Sequence, residues 1–179
     1  MSAADQLKTL LAAPGIIAMP GCYDAMSAKL IERAGFKGAF MGGFAVSAAR
    51  IGMPDTGLIS YTEMLDQGRN IAAAVSIPVI GDGDAINVKR TVAGYAQAGL
   101  ACVMIEDQLA PKRCGHTKGK QVVSRADAYA RLRAAVDARE EGADILIMAR
   151  TDANATDGLD EAMERCRAFM DIGVDITFL

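Results

Sequence analysis

The chemistry of this chain is concentrated in one stretch, residues 105–116. It runs from an apolar segment into Glu106-Asp107-Gln108 and then Lys112-Arg113-Cys114-Gly115-His116. Two carboxylates, two cations, a cysteine and the only histidine of the sequence thus fall within a dozen residues. Cys114 lies beside Lys112, Arg113 and His116, and nearby positive charge favours a thiolate. It is therefore the cysteine best placed to exchange a proton or attack, or it is an incidental loop cysteine. A glycine-bearing loop of this kind also suits a lid that brings the thiol to a substrate on closing.

Further acids stand in similar places. Asp82 and Asp84 follow the apolar residues 77–80, and Arg150 with Asp152 follow residues 144–149. Carboxylates at the ends of buried strands are costly unless paired or bound to a cation. Asp82, Asp84 and Glu106 supply hard oxygen ligands with no competing His or Cys cluster. This points to Mg²⁺, with Mn²⁺ as the alternative ion. Asp82 or Asp84 could instead cap the following helix. Arg150 could clamp a carboxylate through both guanidinium nitrogens, pair internally with one of the acids, or do both.

Elements that would position these groups can be read along the chain. The pattern predicts helices over 4–12, 25–34 (capped by Asp24, stopped at Gly35), from Ser60-Tyr61-Thr62-Glu63, from Asn87 to Ala98, from Ser124 to Gly142, and from Thr156 or Asp157 to Gly173. Strands are expected at 16–20, 36–41, 77–80, 100–105, 144–149 and 174–179, with a long loop over 45–59. Alternating strand and helix implies a parallel sheet with helices outside. The pattern alone leaves an open doubly wound sheet and a (β/α)₈ barrel both possible. In either, the C-terminal strand edge holds the ligand, and that edge is where the acids, Arg150, Gly42 and Gly43 fall.

Composition narrows the function classes. The 179 residues are 51% hydrophobic with a net charge of −3, enough for one domain with a sizeable core and unsuited to a nucleic-acid or membrane-surface partner. No apolar run could span a bilayer, and the first residues lack the order of a signal peptide. Cys22, Cys102, Cys114 and Cys166 are scattered without CxxC spacing, and Cys102 and Cys166 read as packing residues. The expectation is a cytoplasmic protein in a reducing compartment, with no disulfide framework. No GxGxxG or P-loop is present, so dinucleotide and nucleotide binding are not indicated.

Lys112-Arg113-Cys114-Gly115-His116, reached from Ile105-Glu106-Asp107-Gln108, resembles the signature loop of the isocitrate lyase/phosphoenolpyruvate mutase superfamily. Gly52-Met53-Pro54-Asp55, Asp82-Gly83-Asp84 and Ala149-Arg150-Thr151-Asp152-Ala153 resemble its other motifs, so the likeness covers essentially the whole chain. The cysteine loop is that of the lyase branch, which includes 2-methylisocitrate and 2,3-dimethylmalate lyases. The resemblance implies a (β/α)₈ TIM barrel, of which residues 1–179 would supply about six strands as a single domain, incomplete at the C-terminus. It implies Mg²⁺ near Asp82, with Asp84 and Glu106 in its inner or water-bridged shell. Gly42 and Gly43 would offer backbone N–H groups to a substrate carboxylate, Arg150 would hold its oxygens, and Asp55, Gly115 and His116 would line the site. Cys114 would protonate the enolate left by C–C cleavage, with Arg150, Glu106 and His116 as its catalytic neighbours. The implied activity is Mg²⁺-dependent cleavage of a 2-hydroxy di- or tricarboxylate to pyruvate or a similar oxo acid. Oxaloacetate decarboxylation or hydrolysis, or a non-catalytic carboxylate-binding domain, are the alternatives. Relatives are commonly homotetramers, so a homo-oligomer is implied too. Three departures accompany the likeness. Met41 precedes Gly42-Gly43 where a Ser-Gly-Gly is common. Asp84 runs straight into Ala85-Ile86-Asn87 where the family has a glycine-rich loop. The chain also stops in its sixth strand. The expectation drawn from the last two is that residues are missing from this sequence between Asp84 and Ala85 and after Leu179.

Overall fold

The structure, a computed structural model, describes residues 1–83, 87–115 and 117–179. The expected break between Asp84 and Ala85 lies outside these residues. So do the positions of Asp84 and His116.

Six strands form one sheet, in the order β1 (Gly21–Cys22), β2 (Ala39–Met41), β3 (Val79–Asp82), β4 (Cys102–Glu106), β5 (Leu146–Arg150) and β6 (Ile176–Phe178), and every neighbouring pair is parallel. A doubly wound sheet reverses its strand order part-way, whereas a barrel adds each strand beside the last. The unbroken order is that of a barrel wall, here open between β1 and β6. The helices among the described residues are α1 (Ala3–Ala12), α2 (Ala25–Arg33), α3 (Gly43–Ile51), α4 (Tyr61–Ala74), α5 (Val88–Gln97), α6 (Arg125–Glu140), α7 (Ala153–Thr156) and α8 (Leu159–Ile172). None is long and apolar enough to cross a membrane.

Strand parity divides the core in two, because successive side chains point to opposite faces. Val79, Val103, Ile105, Ile147 and Ala149 pack outward under the helices. Ile80, Cys102 and Leu146 point inward with Phe40, Met148 and Ile176, and Ala4 and Leu7 of α1 cover that inner cluster. Two residues above Ile80 comes Asp82, four above Cys102 comes Glu106, and two above Met148 comes Arg150. All three therefore belong to the inner face at the C-terminal end of the wall. Asp107 and Thr151, one residue further on, take the outer parity.

Several sequence signals are realised directly. Ser2, Asp24 and Ser60 close capping boxes, Ser124 accepts from the Asp127 amide, and Gly35, Gly99, Gly142 and Gly173 adopt the positive φ of helix stops. Four expectations are corrected. The first strand is not 16–20 but Gly21–Cys22. Ile16 is 99% exposed, and pairing begins only where the Pro20 carbonyl accepts from Phe40. Residues 45–59 are not all loop, since α3 fills the first half. It starts at Gly42 without a side-chain cap, so the usual signal is absent. Asn87 does precede α5, but in the left-handed region (φ 55°) and with no side-chain capping bond. The helix expected from Thr156 or Asp157 to Gly173 starts later, at Leu159 behind Gly158 (φ 95°), and the short α7, ending at Thr156, precedes it.

Candidate active site

β2, β3, β4 and β5 deliver the site to a cavity of about 460 Å³ at the inner C-terminal edge. Its polar wall includes Gly43, Asp55, Asp82, Cys114, Arg150 and Asp152, and Phe40, Phe44, Met104 and Phe178 form an apolar side. Glu106 faces an adjoining space of about 580 Å³ that shares Asp82 and also carries Gln108 and Lys112. Register supports this grouping: Glu106 lies opposite Arg150, and Arg150 opposite Phe178, whose ring packs 5.4 Å from the guanidinium carbon.

The acids are buried and individually partnered. Asp82 is 8% exposed and its Oδ2 accepts from the Gly43 amide at 3.0 Å. A Cβ on Gly43 would stand 2.7 Å from that oxygen, so the contact requires glycine. The Gly43 N–H is thus directed at Asp82 here. Lys112 Nζ lies 3.1 Å from Asp55 Oδ1 and 3.9 Å from Asp82 Oδ2, joining the two acids from the cysteine loop. Glu106 Oε2 accepts from Gln108 Nε2 at 3.2 Å and sits 3.9 Å from Arg150 Nη1. Arg131 donates to the Glu106 and Gln108 carbonyls at 3.1 and 2.9 Å, fixing the backbone where β4 gives way to the loop.

Arg150 has the internal pairing that its position allowed. Its Nη2 donates to Asp152 Oδ1 at 3.0 Å. Burial works against the charged guanidinium, but Asp152 and Glu106 outweigh it and the pKa is raised. Burial would likewise raise the Asp152 carboxyl, yet Lys120 and Arg150 hold it below the usual carboxylate range. A Cβ on Gly115 would collide with Arg150 Nη2, so the loop backbone lies directly on the guanidinium. That brings Cys114, which is buried, to the same cavity as Arg150. The other three thiols are buried away from it, and burial pushes Cys22 up to about 11.

Sequence reasoning gave Asp107 no role of its own and missed two further participants, Arg165 and Lys120. Asp107, 2% exposed, accepts from Thr151 Oγ1 at 2.7 Å, the Asp152 amide at 3.0 Å and Arg165 Nη1 at 3.0 Å. Strand parity would have separated it from Glu106, because adjacent residues of one strand face opposite sides. Arg165 reaches it from α8, and Lys120 pairs with Asp152 from the far side of the cysteine loop. No local sequence signal marks those two long-range partners.

The described residues fit a divalent cation in donor type. Among them no three His, Cys, Asp or Glu side chains already converge on one point. Asp82 lines both adjoining cavities and Glu106 lines the second, so two buried carboxylates of the hard-oxygen type that suits such an ion border one space.

Residues 7–179 match the sequence profile of the family described as phosphoenolpyruvate phosphomutase. The chain belongs to the isocitrate lyase/phosphoenolpyruvate mutase superfamily. It is 44% identical over 184 residues to a 2,3-dimethylmalate lyase of Eubacterium barkeri, covering 100% of this chain and 63% of that protein. Among solved structures it resembles an oxaloacetate acetylhydrolase bound to the inhibitor 3,3-difluorooxalacetate, with a TM-score of 0.94 and 39% identity over 98% of this chain and 62% of that one. It also resembles a phosphonopyruvate hydrolase complexed with oxalate and Mg²⁺, at a TM-score of 0.88 and 31% identity over 100% and 63% of the two chains. The chain spans about three fifths of the length of these superfamily relatives.

Proposed function

We propose that this protein is a Mg²⁺-dependent carbon–carbon lyase acting on a 2-hydroxy di- or tricarboxylate, releasing pyruvate or a similar oxo acid and a second carboxylate. The observation that carries the reading is the approach of the Cys114 loop to Arg150. A thiol and a guanidinium share one cavity with Asp82, and Gly115 leaves no side chain between loop and guanidinium. The 2,3-dimethylmalate lyase relative supports the reaction class, and the Mg²⁺ and oxalate of the phosphonopyruvate hydrolase complex support the ion.

Asp82 and Glu106 would hold the metal, joined by Asp84 if the family pattern holds. A bound divalent ion supplies positive charge to oxygens that become more negative during cleavage. Arg150 binds a substrate carboxylate with the face that Asp152 and Glu106 leave open. Both acids fix its orientation before the substrate arrives. When the C–C bond breaks, its electron pair remains on the carbon next to the departing carboxylate. The 2-hydroxyl proton leaves to solvent as the C=O bond forms, the Cys114 thiol donates its proton to that carbon, and the thiolate is then reprotonated from solvent. No net acid or base is consumed. The phenylalanine-lined side would receive the alkyl part of the substrate.

Oxaloacetate hydrolysis is the second reading, favoured by the similarity to the oxaloacetate acetylhydrolase. A homo-oligomer belongs to the same proposal, supported by Leu159, Met163 and Met170, which stand exposed on α8. The test is a panel of 2-hydroxy diacids, with oxaloacetate as a separate arm, assayed with Mg²⁺ by coupled pyruvate detection and by oxalate release. Activity should vanish in EDTA and return with Mg²⁺ or Mn²⁺. Full activity in chelator would refute the metal, and oxalate release without pyruvate would favour the hydrolase.

A further inference from the structure

We infer that Lys120 is a positioning residue that latches the Cys114 loop onto the end of β5 through Asp152. This goes beyond the reading above and, in its kinetic consequence, rests on it.

The loop leaves and returns through one narrow base, where Gln108 bridges Val122 and the Leu109 amide donates to Gln121 at 2.8 Å. Between those ends it carries few apolar side chains, so its placement depends on polar contacts. Some are internal: Thr117 donates to the Cys114 carbonyl through both its amide (2.9 Å) and its hydroxyl (2.8 Å). Others reach the barrel wall. Lys112 does so on the β3 side, and Lys120 does so on the β5 side.

Lys120 makes two bonds that bear on the thiol. Its ammonium donates to Asp152 Oδ1 at 2.5 Å and to the Gly115 carbonyl at 3.0 Å, with its side chain 12% exposed. Gly115 directly follows Cys114 and lies on Arg150, so fixing its carbonyl fixes both the thiol and the loop face that meets the guanidinium. Asp152 is a firm anchor, 6% exposed, with its amide held by Asp107. The Asp152 oxygen that receives Lys120 also receives Arg150. One carboxylate oxygen therefore joins the loop to the substrate-binding guanidinium. Charge-assisted bonds in a largely buried setting are the strong ones, and nothing comparable on the β5 side of the loop would replace this pair among the described contacts.

The latch predicts that Lys120→Met lets the loop open. In the intact protein, alkylation of Cys114 by iodoacetamide, followed by peptide mass mapping, should accelerate about tenfold. That corresponds to a shift of about 1.4 kcal/mol in the opening equilibrium. Lys120→Arg, which keeps charge and donors, should return labelling close to the parental rate. Where pyruvate release is measurable, Lys120→Met should lower kcat about tenfold and move KM far less, because the latch positions a thiol that acts in the transition state rather than in substrate binding. Labelling needs no substrate. An inactive parent would therefore refute the lyase reading while leaving the latch to be judged on labelling alone. Parental labelling in a Lys120→Met protein that still unfolds cooperatively would overturn the latch. Should that variant not fold, Lys120→Gln, which keeps a donor for the Gly115 carbonyl but no charge, replaces it with the same expected acceleration. If neither folds, Lys120 serves folding rather than loop closure and the proposal falls.

Discussion

Replacing Arg165 by methionine tests the network beneath the site. Arg165 is 4% exposed on α8 and donates to Asp107 at 3.0 Å, to the Val123 carbonyl at 3.0 Å and to Glu161 at 2.8 Å. Methionine keeps much of the apolar stem but removes every donor. Asp107 would then stay buried without its cation, and Val123 would lose this donor. Breaking a buried pair by deleting one partner costs about 3–5 kcal/mol. Asp107 retains the Thr151 hydroxyl and the Asp152 amide, which places the expected loss at the lower end, about 3 kcal/mol. At about 2–4 °C per kcal/mol for a domain of this size, thermal unfolding should fall by roughly 6–12 °C. The assay is calorimetry, checked by urea titration. Adding Asp107→Asn to Arg165→Met should recover part of the loss, since the stranded charge is removed, with a coupling of at least about 1 kcal/mol. An Arg165→Met protein within about 0.5 kcal/mol of the parent would refute the argument that this pair anchors the wall.

Cys114→Ser should reduce kcat by roughly 10²–10⁴ with a much smaller change in KM, as expected for a lost proton donor, and steady-state pyruvate assays would read it. Gly43→Ala should cost about 1–3 kcal/mol in urea titration, because its Cβ would stand 2.7 Å from Asp82 Oδ2 and 3.4 Å from Lys112 Nζ. It should also weaken activity by displacing that carboxylate. Asp152 is held below its ordinary 3.8, so its contribution is complete above that pH and is lost as acid titrates the folded-state group. The parent should therefore lose unfolding temperature more steeply than Asp152→Asn below about pH 4, and equal slopes would refute the assignment.

The sequence made the framework legible where local chemistry decides the structure. Capping boxes at Ser2, Asp24 and Ser60 name their helices because side chain and amide lie three residues apart. Glycine stops before β2, β4, β5 and β6 reflect a backbone angle that other residues resist. It failed where that chemistry is missing: α3 opens on Gly42 with no side-chain cap, and Ile16–Met19 looks apolar although Ile16 faces solvent. Strand order was also hidden, because open sheets and barrels share one βα rhythm, and only the sequential pairing of β1 through β6 separates them. In the site, Asp82, Glu106 and Arg150 could be nominated because strand ends collect ligands. Their shared inward direction follows from parity. Lys120 with Asp152, 32 residues apart, follows from the path of a loop, and nothing local encodes that path.

The spacing within the cysteine loop acquires meaning only against the barrel wall. Lys112 and Lys120 flank Cys114, and each reaches an acid beyond a different strand. Lys112 meets Asp82 at the end of β3 together with Asp55, and Lys120 meets Asp152 just past β5. The segment between them must therefore cross the mouth above β4, the strand that lies between β3 and β5 in the sheet. Cys114 and Gly115 fall inside that crossing and so come to rest beside Arg150. Neither lysine needs to touch a substrate to matter. Two cations tied to two strand ends turn a polar loop with little apolar packing of its own into a bridge, and the thiol rides on it. Asp82 thus meets the loop as well as the site, and Asp55 and Asp152 are committed to holding the loop in place.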